Sequence, residues 1–502
     1  MTDNEAYLSI LAGISKNELI VFGTCCLAVC VSLFLPIDRF ERLKLGFLIT
    51  GVSCLSILAA SHLDVLLLWD EQYHALVASN FAQNPFYPLL IDQQGYPYLK
   101  EVWINNQVWL HKQPLSLWQI ALSIKLLGNT VFAVRLPSVI LHCMSTLLVY
   151  AIGKRLGDKN PAFIAATLFG TSGYLIAFVS GAEGMDHVDT AFTFYILASI
   201  YTLFRYQESP TFKRAAMVGL LVGLAVLTKW LVGLIALGVW GIVLILWHRK
   251  QWSKWKHYGL GWIVALVTFL PWQIYCFIRF PEEFTHEMAF NSKHFFEVVE
   301  GHGGNWNYYW DQLSVYLNVN SGLSWLLLVL FVYFVIWTIQ NKSPFHFSIL
   351  LSFTLVVIFF SLAQTKLYGY VNIVLGFCYL IMAFSISGVL KRIFHRFRLN
   401  LVVKSSLPLL LLPVLYFNIN ARFTAERYDF KYPEVFVNRR SQIKQISHLL
   451  HKHGKGYTYL IKNDQTTLLP QLLFDNPGYH VLYYFDNVPY KNPYYIDVSN
   501  LH

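Results

Sequence analysis

The chain has 502 residues, of which 56% are hydrophobic, 17% aromatic and only 13% charged, a balance too apolar for a water-soluble protein of this length. Its formal net charge of +10 would suit a nucleic-acid partner, but the basic residues are scattered through short connections between apolar runs, which argues against nucleic acid and for orientation signals in a membrane. The cysteines at 25, 26, 30, 54, 143, 276 and 378 all fall in apolar stretches without CxxC spacing and read as plain core residues.

Crossing the hydrocarbon layer takes roughly 20 residues of helix. Runs near that length recur at 18–36, 44–62, 137–153, 161–180, 190–204, 215–230, 231–247, 258–278, 321–339, 346–363, 370–390 and 405–419. Helices are the expected form because lipid offers no partner to an open backbone amide, and the alternation of a membrane barrel is absent. The first run follows an acidic start (Asp3, Glu5, Glu18) without a basic leader, so it is expected as a retained span. The apolar piece at 114–127, led by Pro114 and closed by Gly128, is too brief to cross and is expected as a re-entrant or interfacial helix. The fold class expected is an all-α polytopic membrane protein with about 12–13 transmembrane helices.

Alternate connections separate into two sets. The basic ones are 37–43 with Arg39 and Arg42, 154–160 with Lys154, Arg155 and Lys159, 205–214, 248–257, 340–345 and 391–404, and these are expected on the cytoplasmic side. The loops 63–136 and 279–320 then face the periplasm of a bacterial inner membrane, with both termini. Residues 1–419 form the transmembrane domain in this reading, and 420–502 a small extracytoplasmic α/β domain. The latter has a helix Ser441–His453 with Ile443, Ile446 and Leu450 on one face, and strands Tyr457–Ile461 and Val481–Phe485 around a further apolar helix.

The residues able to do chemistry gather on the outer side. WDEQYH puts Asp70 and Glu71 just after the second run. Trp109, His111, Lys112 and Gln113 precede the short helix. Asp186, His187 and Asp189 sit between two spans, and Lys229 ends another in LTKW. EGHGGNWNYYWD carries Glu300 and His302, and TKLYGY carries Lys366, Tyr368 and Tyr370. Each has a bland reading: an acidic pair at a helix end is usually a solvated boundary, a terminal lysine snorkels, and aromatic clusters mark the interface. Those readings do not explain why six segments of a charge-poor chain present such groups to one compartment.

The order WDE, HKQPLSLWQ, RLPS, GLAVLTKW, LPW, EGHGGNWNYY, TKLYGY, over most of residues 65–375, resembles the protein O-mannosyltransferase superfamily, and within it the bacterial transferases that add aminoarabinose to lipid A. The resemblance implies a GT-C membrane glycosyltransferase that takes a sugar from a polyprenyl (undecaprenyl) phosphate at the outer face, by inversion, and hands it to a lipid, glycan or protein acceptor, with no nucleotide cofactor. A lipid phosphate is already an adequate leaving group, so one carboxylate base plus cations and phenols around the phosphate would suffice. Asp70 is then the expected base, with Glu71 positioning it or the acceptor. Lys112, Lys366, Tyr368 and Tyr370 would hold the donor phosphate, and Asp189 with Lys229 would shape the sugar pocket or pair with each other.

The relatives are also expected to hold a metal at positions that match His111 and His302 here. Imidazole can replace carboxylate as a zinc ligand, and the competing reading leaves His111 at the loop surface. Three departures from the family pattern, KQP, Trp230 in LTKW, and KLYGY without a proline, touch pocket shape more than reaction class. Two other readings are a protein O-mannosyltransferase acting on secreted chains and a flippase of lipid-linked sugar. The second is disfavoured because no internal repeat or midplane charge is visible.

Overall fold

The structure is a computed structural model that describes residues 16–61, 65–66, 70–92, 106–181, 186–317, 324–397, 433–462, 468–483 and 492–500. The apolar run expected at 405–419 and the 419/420 boundary lie outside the described residues. Helix α1 (Lys16–Phe34) is followed by α2 (Ile37–Ser61), α3 (Asp70–Gln83), α4 (Pro114–Leu127), α5 (Val131–Gly153), α6 (Lys159–Gly170), α7 (Gly173–Val179), α8 (Asp186–Glu208), α9 (Phe212–Lys229), α10 (Ile235–Trp247) and α11 (Trp252–Arg279). After these come α12 (Pro281–Phe296), α13 (Tyr308–Tyr316), α14 (Ser324–Asn341), α15 (Pro344–Leu362) and α16 (Leu375–Phe397). Six helical stretches among the described residues are long and apolar enough to cross a membrane, and α6 with α7 makes a seventh if the pair, bent by 51°, is one span. The run expected at 161–180 is therefore broken at Thr171–Ser172. The short helix at 114–127 keeps its expected bounds, with Pro114 in its first turn and Gly128, at φ 84°, as its C-cap.

Small residues let the helices approach where lipid supplies no hydrophobic drive. A methyl at Gly219 of α9 would lie 2.2 Å from the Gly261 carbonyl oxygen of α11, so the two backbones touch there. Lys44, 5% exposed within α2, reaches back to the Leu33 and Leu35 carbonyls at 3.2 and 2.9 Å and closes the end of α1.

The basic connections meet at one end of the molecule. Glu41 takes Lys154 at 2.5 Å and Lys159 at 2.8 Å, Arg155 takes Glu208 at 2.8 Å, and Lys391 takes Asp158 at 2.5 Å. Four loops assigned to one side from charge alone are thus brought together.

The C-terminal part contains α17 (Pro433–His453), β1 (Thr458–Lys462), α18 (Leu469–Asp475), β2 (His480–Tyr483) and β3 (Pro493–Asp497). The strands form a parallel sheet in the order β2-β1-β3, with Leu460 opposite both Leu482 and Tyr495. The expected helix begins earlier, at Pro433, and buries Ile443, Ile446 and Leu450 as its periodicity required. The third strand is an addition to the expected pair. This sheet shares one core with α3, α4, α9 and α11, in which Tyr73, Leu76 and Ile120 pack in the same cluster as Ile446, Leu460 and Leu472.

Candidate active site

Asp70 opens α3, where a carboxylate meets the positive end of the helix dipole. Its Oδ2 lies 3.5 Å from the Nζ of Lys112, and both side chains remain 21% exposed, so the pair borders open space rather than closing a core. Lys112 is held there by the HKQP turn, in which Pro114 starts α4 and Gln113 accepts a 2.7 Å hydrogen bond from Gln273 of α11. Burial pushes the Asp70 carboxyl up, but the charges of Lys112, His74 and His111 outweigh it and hold the group below its ordinary value.

One residue on, the environment inverts. Glu71 is 1% exposed and receives Nε and Nη2 of Arg135 at 2.7 and 2.9 Å, with His187 Nε2 at 3.1 Å. His187 Nδ1 in turn meets Ser138 Oγ at 2.7 Å, and Arg135 also donates to the Ala60 and Val65 carbonyls. Burial raises the Glu71 carboxyl, and Arg135 and His187 overcome that and drive it far down. Gly181 makes room for the carboxylate: its φ is 71°, and a methyl there would fall 2.4 Å from Glu71 Oε1. Glu71 is a buried ion-pair partner that fixes the start of α3 to α5 and α8, not a group facing a substrate.

His111 pairs with Glu287 of α12 at 3.3 Å, and its ring packs on Trp109 and Phe290. His302 is exposed, and its carbonyl accepts the Lys366 amide at 2.7 Å. No group of three or more His, Cys, Asp or Glu among the described residues is placed to hold a metal ion. Of the two expected zinc ligands, His111 has the Glu287 carboxylate beside it and His302 stands exposed on its loop.

Lys366 is 4% exposed and donates to the carbonyls of Phe360 and Ser361 at 3.1 and 2.7 Å, and to that of Ala363. Its ammonium closes the end of α15 instead of joining Asp70 and Lys112. Thr365 ties the same segment to the loop at 294–302 through the His294 carbonyl and the Val299 amide. Asp189 and Lys229 form an ion pair, the second of the two roles expected for them, with Lys229 lying 5.3 Å above the Tyr370 ring. The Tyr368 side chain lies outside the described residues. The sequence reading did not single out Arg135, His74, Glu287, Gln72 or Arg439. Arg135 sat in the quoted RLPS, and Gln72 and His74 in the quoted WDEQYH, whereas Glu287 had no signal beyond its place in an amphipathic helix.

The sequence profile of the dolichyl-phosphate-mannose-protein mannosyltransferase family matches residues 111–275. The undecaprenyl phosphate-alpha-4-amino-4-deoxy-L-arabinose arabinosyl transferase of Pseudomonas paraeruginosa is 28% identical over 274 residues, 52% of this chain and 47% of that one. A second transferase of that description, from Pseudomonas fluorescens, is 26% identical over 269 residues, 52% and 44% of the two chains. The chain thus spans about half the length of the curated relatives it matches. Among solved structures, ArnT from Cupriavidus metallidurans bound to undecaprenyl phosphate superposes with a TM-score of 0.61 at 14% identity, covering 88% of this chain and 86% of that one. The oligosaccharyltransferase AglB from Archaeoglobus fulgidus gives 0.55 at 12% identity, over 88% and 64% of the two chains. The fold is the GT-C fold of ArnT, with a small C-terminal sheet, in a multi-pass membrane protein.

Proposed function

We propose that the chain is an inverting glycosyltransferase of the inner membrane that moves a sugar from an undecaprenyl-type phosphate to an acceptor hydroxyl at the periplasmic face, with Asp70 as general base. The observation that carries this reading is the half-open Asp70–Lys112 pair, a carboxylate kept ionised beside a cation at the mouth of a buried scaffold. In the reaction the acceptor oxygen attacks the anomeric carbon, the bond from that carbon to the phosphate oxygen breaks, and Asp70 takes the acceptor's proton. The polyprenyl phosphate leaves as an anion within reach of Lys112. A donor phosphate competes with Asp70 for Lys112. Donor binding therefore frees the carboxylate to act as a base when its substrate is in place.

Glu71 positions Asp70 by anchoring the helix start, and Asp189 with Lys229 and Tyr370 borders the sugar. Lys366 would have to abandon its three carbonyls to touch the phosphate, so its part is to shape the loop at 294–302. Glycolipid, with lipid A foremost, is the acceptor class favoured by the arabinosyl transferases it resembles. A protein acceptor is the second reading, favoured by the mannosyltransferase profile across 111–275.

Asp70→Asn should insert and fold normally yet lose transfer by about 100-fold or more. Release of undecaprenyl phosphate from undecaprenyl phosphate-aminoarabinose, measured with lipid A or with an unfolded peptide as acceptor, tests both base and acceptor. Near-normal turnover in the variant would remove Asp70 from this role.

A further inference from the structure

Val65 and Leu66, a few residues ahead of the helix that Asp70 opens, have buried peptide groups that no regular secondary structure satisfies, and side chains from far along the chain satisfy them. Leu66 is fully buried; its amide donates to Gln471 Oε1 at 2.8 Å and its carbonyl accepts from Arg439 Nη1 at 2.6 Å. Arg439, 1% exposed, also donates from Nη2 to Gln72 Oε1 at 2.6 Å, inside the first turn of α3. On the opposite side, Arg135 holds the Val65 and Ala60 carbonyls together with Glu71. Two buried guanidinium groups thus hold Val65 and Leu66 on one side of Asp70 in the sequence and Glu71 and Gln72 on the other.

The geometry points to Arg439, assisted by Gln471, as a positioning residue of the C-terminal domain that sets the Asp70 carboxylate in its working place. A buried backbone group left without its partner pays a desolvation penalty, so the segment cannot shift without breaking these bonds. A fixed guanidinium fork defines direction as well as distance, which a single-point cation does not. Other ties keep the domain in register: Asn129 Nδ2 donates to the Phe474 carbonyl at 3.1 Å, and His480 Nε2 lies 2.8 Å from the Asp92 carbonyl oxygen. Arg439 and Gln471 bond the Leu66 backbone and the Gln72 side chain, so they act through the placement of the helix start and not on substrate.

The assignment rests on the glycosyltransferase reading, and its test separates the two. Full-length protein in nanodiscs is assayed with undecaprenyl phosphate-aminoarabinose and lipid A. Arg439→Lys keeps a cation and the packed stem but loses the fork, and Gln471→Met keeps the volume but loses the bond to Leu66; both are chosen to remain folded. Each should lower kcat about 10- to 100-fold while donor KM moves less than about twofold, because a small misplacement of a base harms the transition state more than binding. Neither should reduce the residual rate of Asp70→Asn any further. Amide hydrogen exchange across residues 65–75 should rise in both variants whether or not sugar is transferred. Raised exchange in a chain whose wild type transfers nothing sinks the glycosyltransferase reading and leaves the grip on the segment standing. Unchanged exchange, a rate that falls only with the folded fraction, or an extra loss on top of Asp70→Asn overturns the assignment.

Discussion

Asp70 and Glu71 are neighbours in the chain with opposite surroundings, and the consequences differ in kind. Because Lys112 is the foremost of the charges that lower the Asp70 carboxyl, Lys112→Met should raise it. A base must be ionised, so the acid limb of the kcat/KM profile should move to higher pH in that variant, while the wild type loses activity only as pH falls through its depressed value. A limb that stays in place would detach Lys112 from Asp70. Glu71 carries no such open face: Glu71→Gln leaves Arg135 buried without its counter-charge and should destabilise the fold by about 3–5 kcal/mol, read as a lower thermal midpoint in detergent. The pair DE was visible in the sequence, but nothing in two adjacent carboxylates said which one was buried. That division depends on Arg135 and His187, which lie 64 and 116 positions away.

At the scale of helices, the break after α9 is where the backbone is most strained at a residue other than glycine. Trp230, where the family pattern has glycine, sits at φ 66° and ψ −157°, backbone space that is essentially glycine's alone and costs about 1–3 kcal/mol for other residues. Trp230→Gly should therefore be more stable than Trp230→Ala by about that amount, the reverse of the usual order of these two residues. Thermal melts of the two variants side by side check it. Periodicity and punctuation found most helices to within a few residues, including the short one led by Pro114 and closed by Gly128. They did not find the bend between α6 and α7 or the fold-back of Lys366 onto α15, since an apolar run looks the same straight or broken, and a lysine at a helix end looks the same capping it or facing a ligand. The strand Pro493–Asp497 was hidden because its alternation is short and its partner, β1, is 35 residues upstream.

For the molecule as a whole, four of the loops that charge counting put on one side do meet, through ion pairs such as Glu41 with Lys154 and Lys159. What composition could not convey is that the C-terminal sheet and the membrane helices share a core. Severing the chain after residue 432 should therefore expose Tyr73, Leu76 and Ile120 and cost activity as well as solubility, rather than simply removing an ornament. Co-expressing residues 433–502 as a separate periplasmic piece should restore part of the transfer activity, because the lost contacts are packing and hydrogen bonds that need no covalent link.

Strand order has a bearing on biosynthesis. The middle strand of the sheet, β1, completes its pairing only when residues 493–497 arrive, long after the helix bearing Asp70 has been synthesised. A ribosome that stalls midway leaves a lipid-embedded intermediate whose carboxylate lacks half of its support. The full set of contacts around Asp70 is then complete only at the close of synthesis, and a truncated product lacks it.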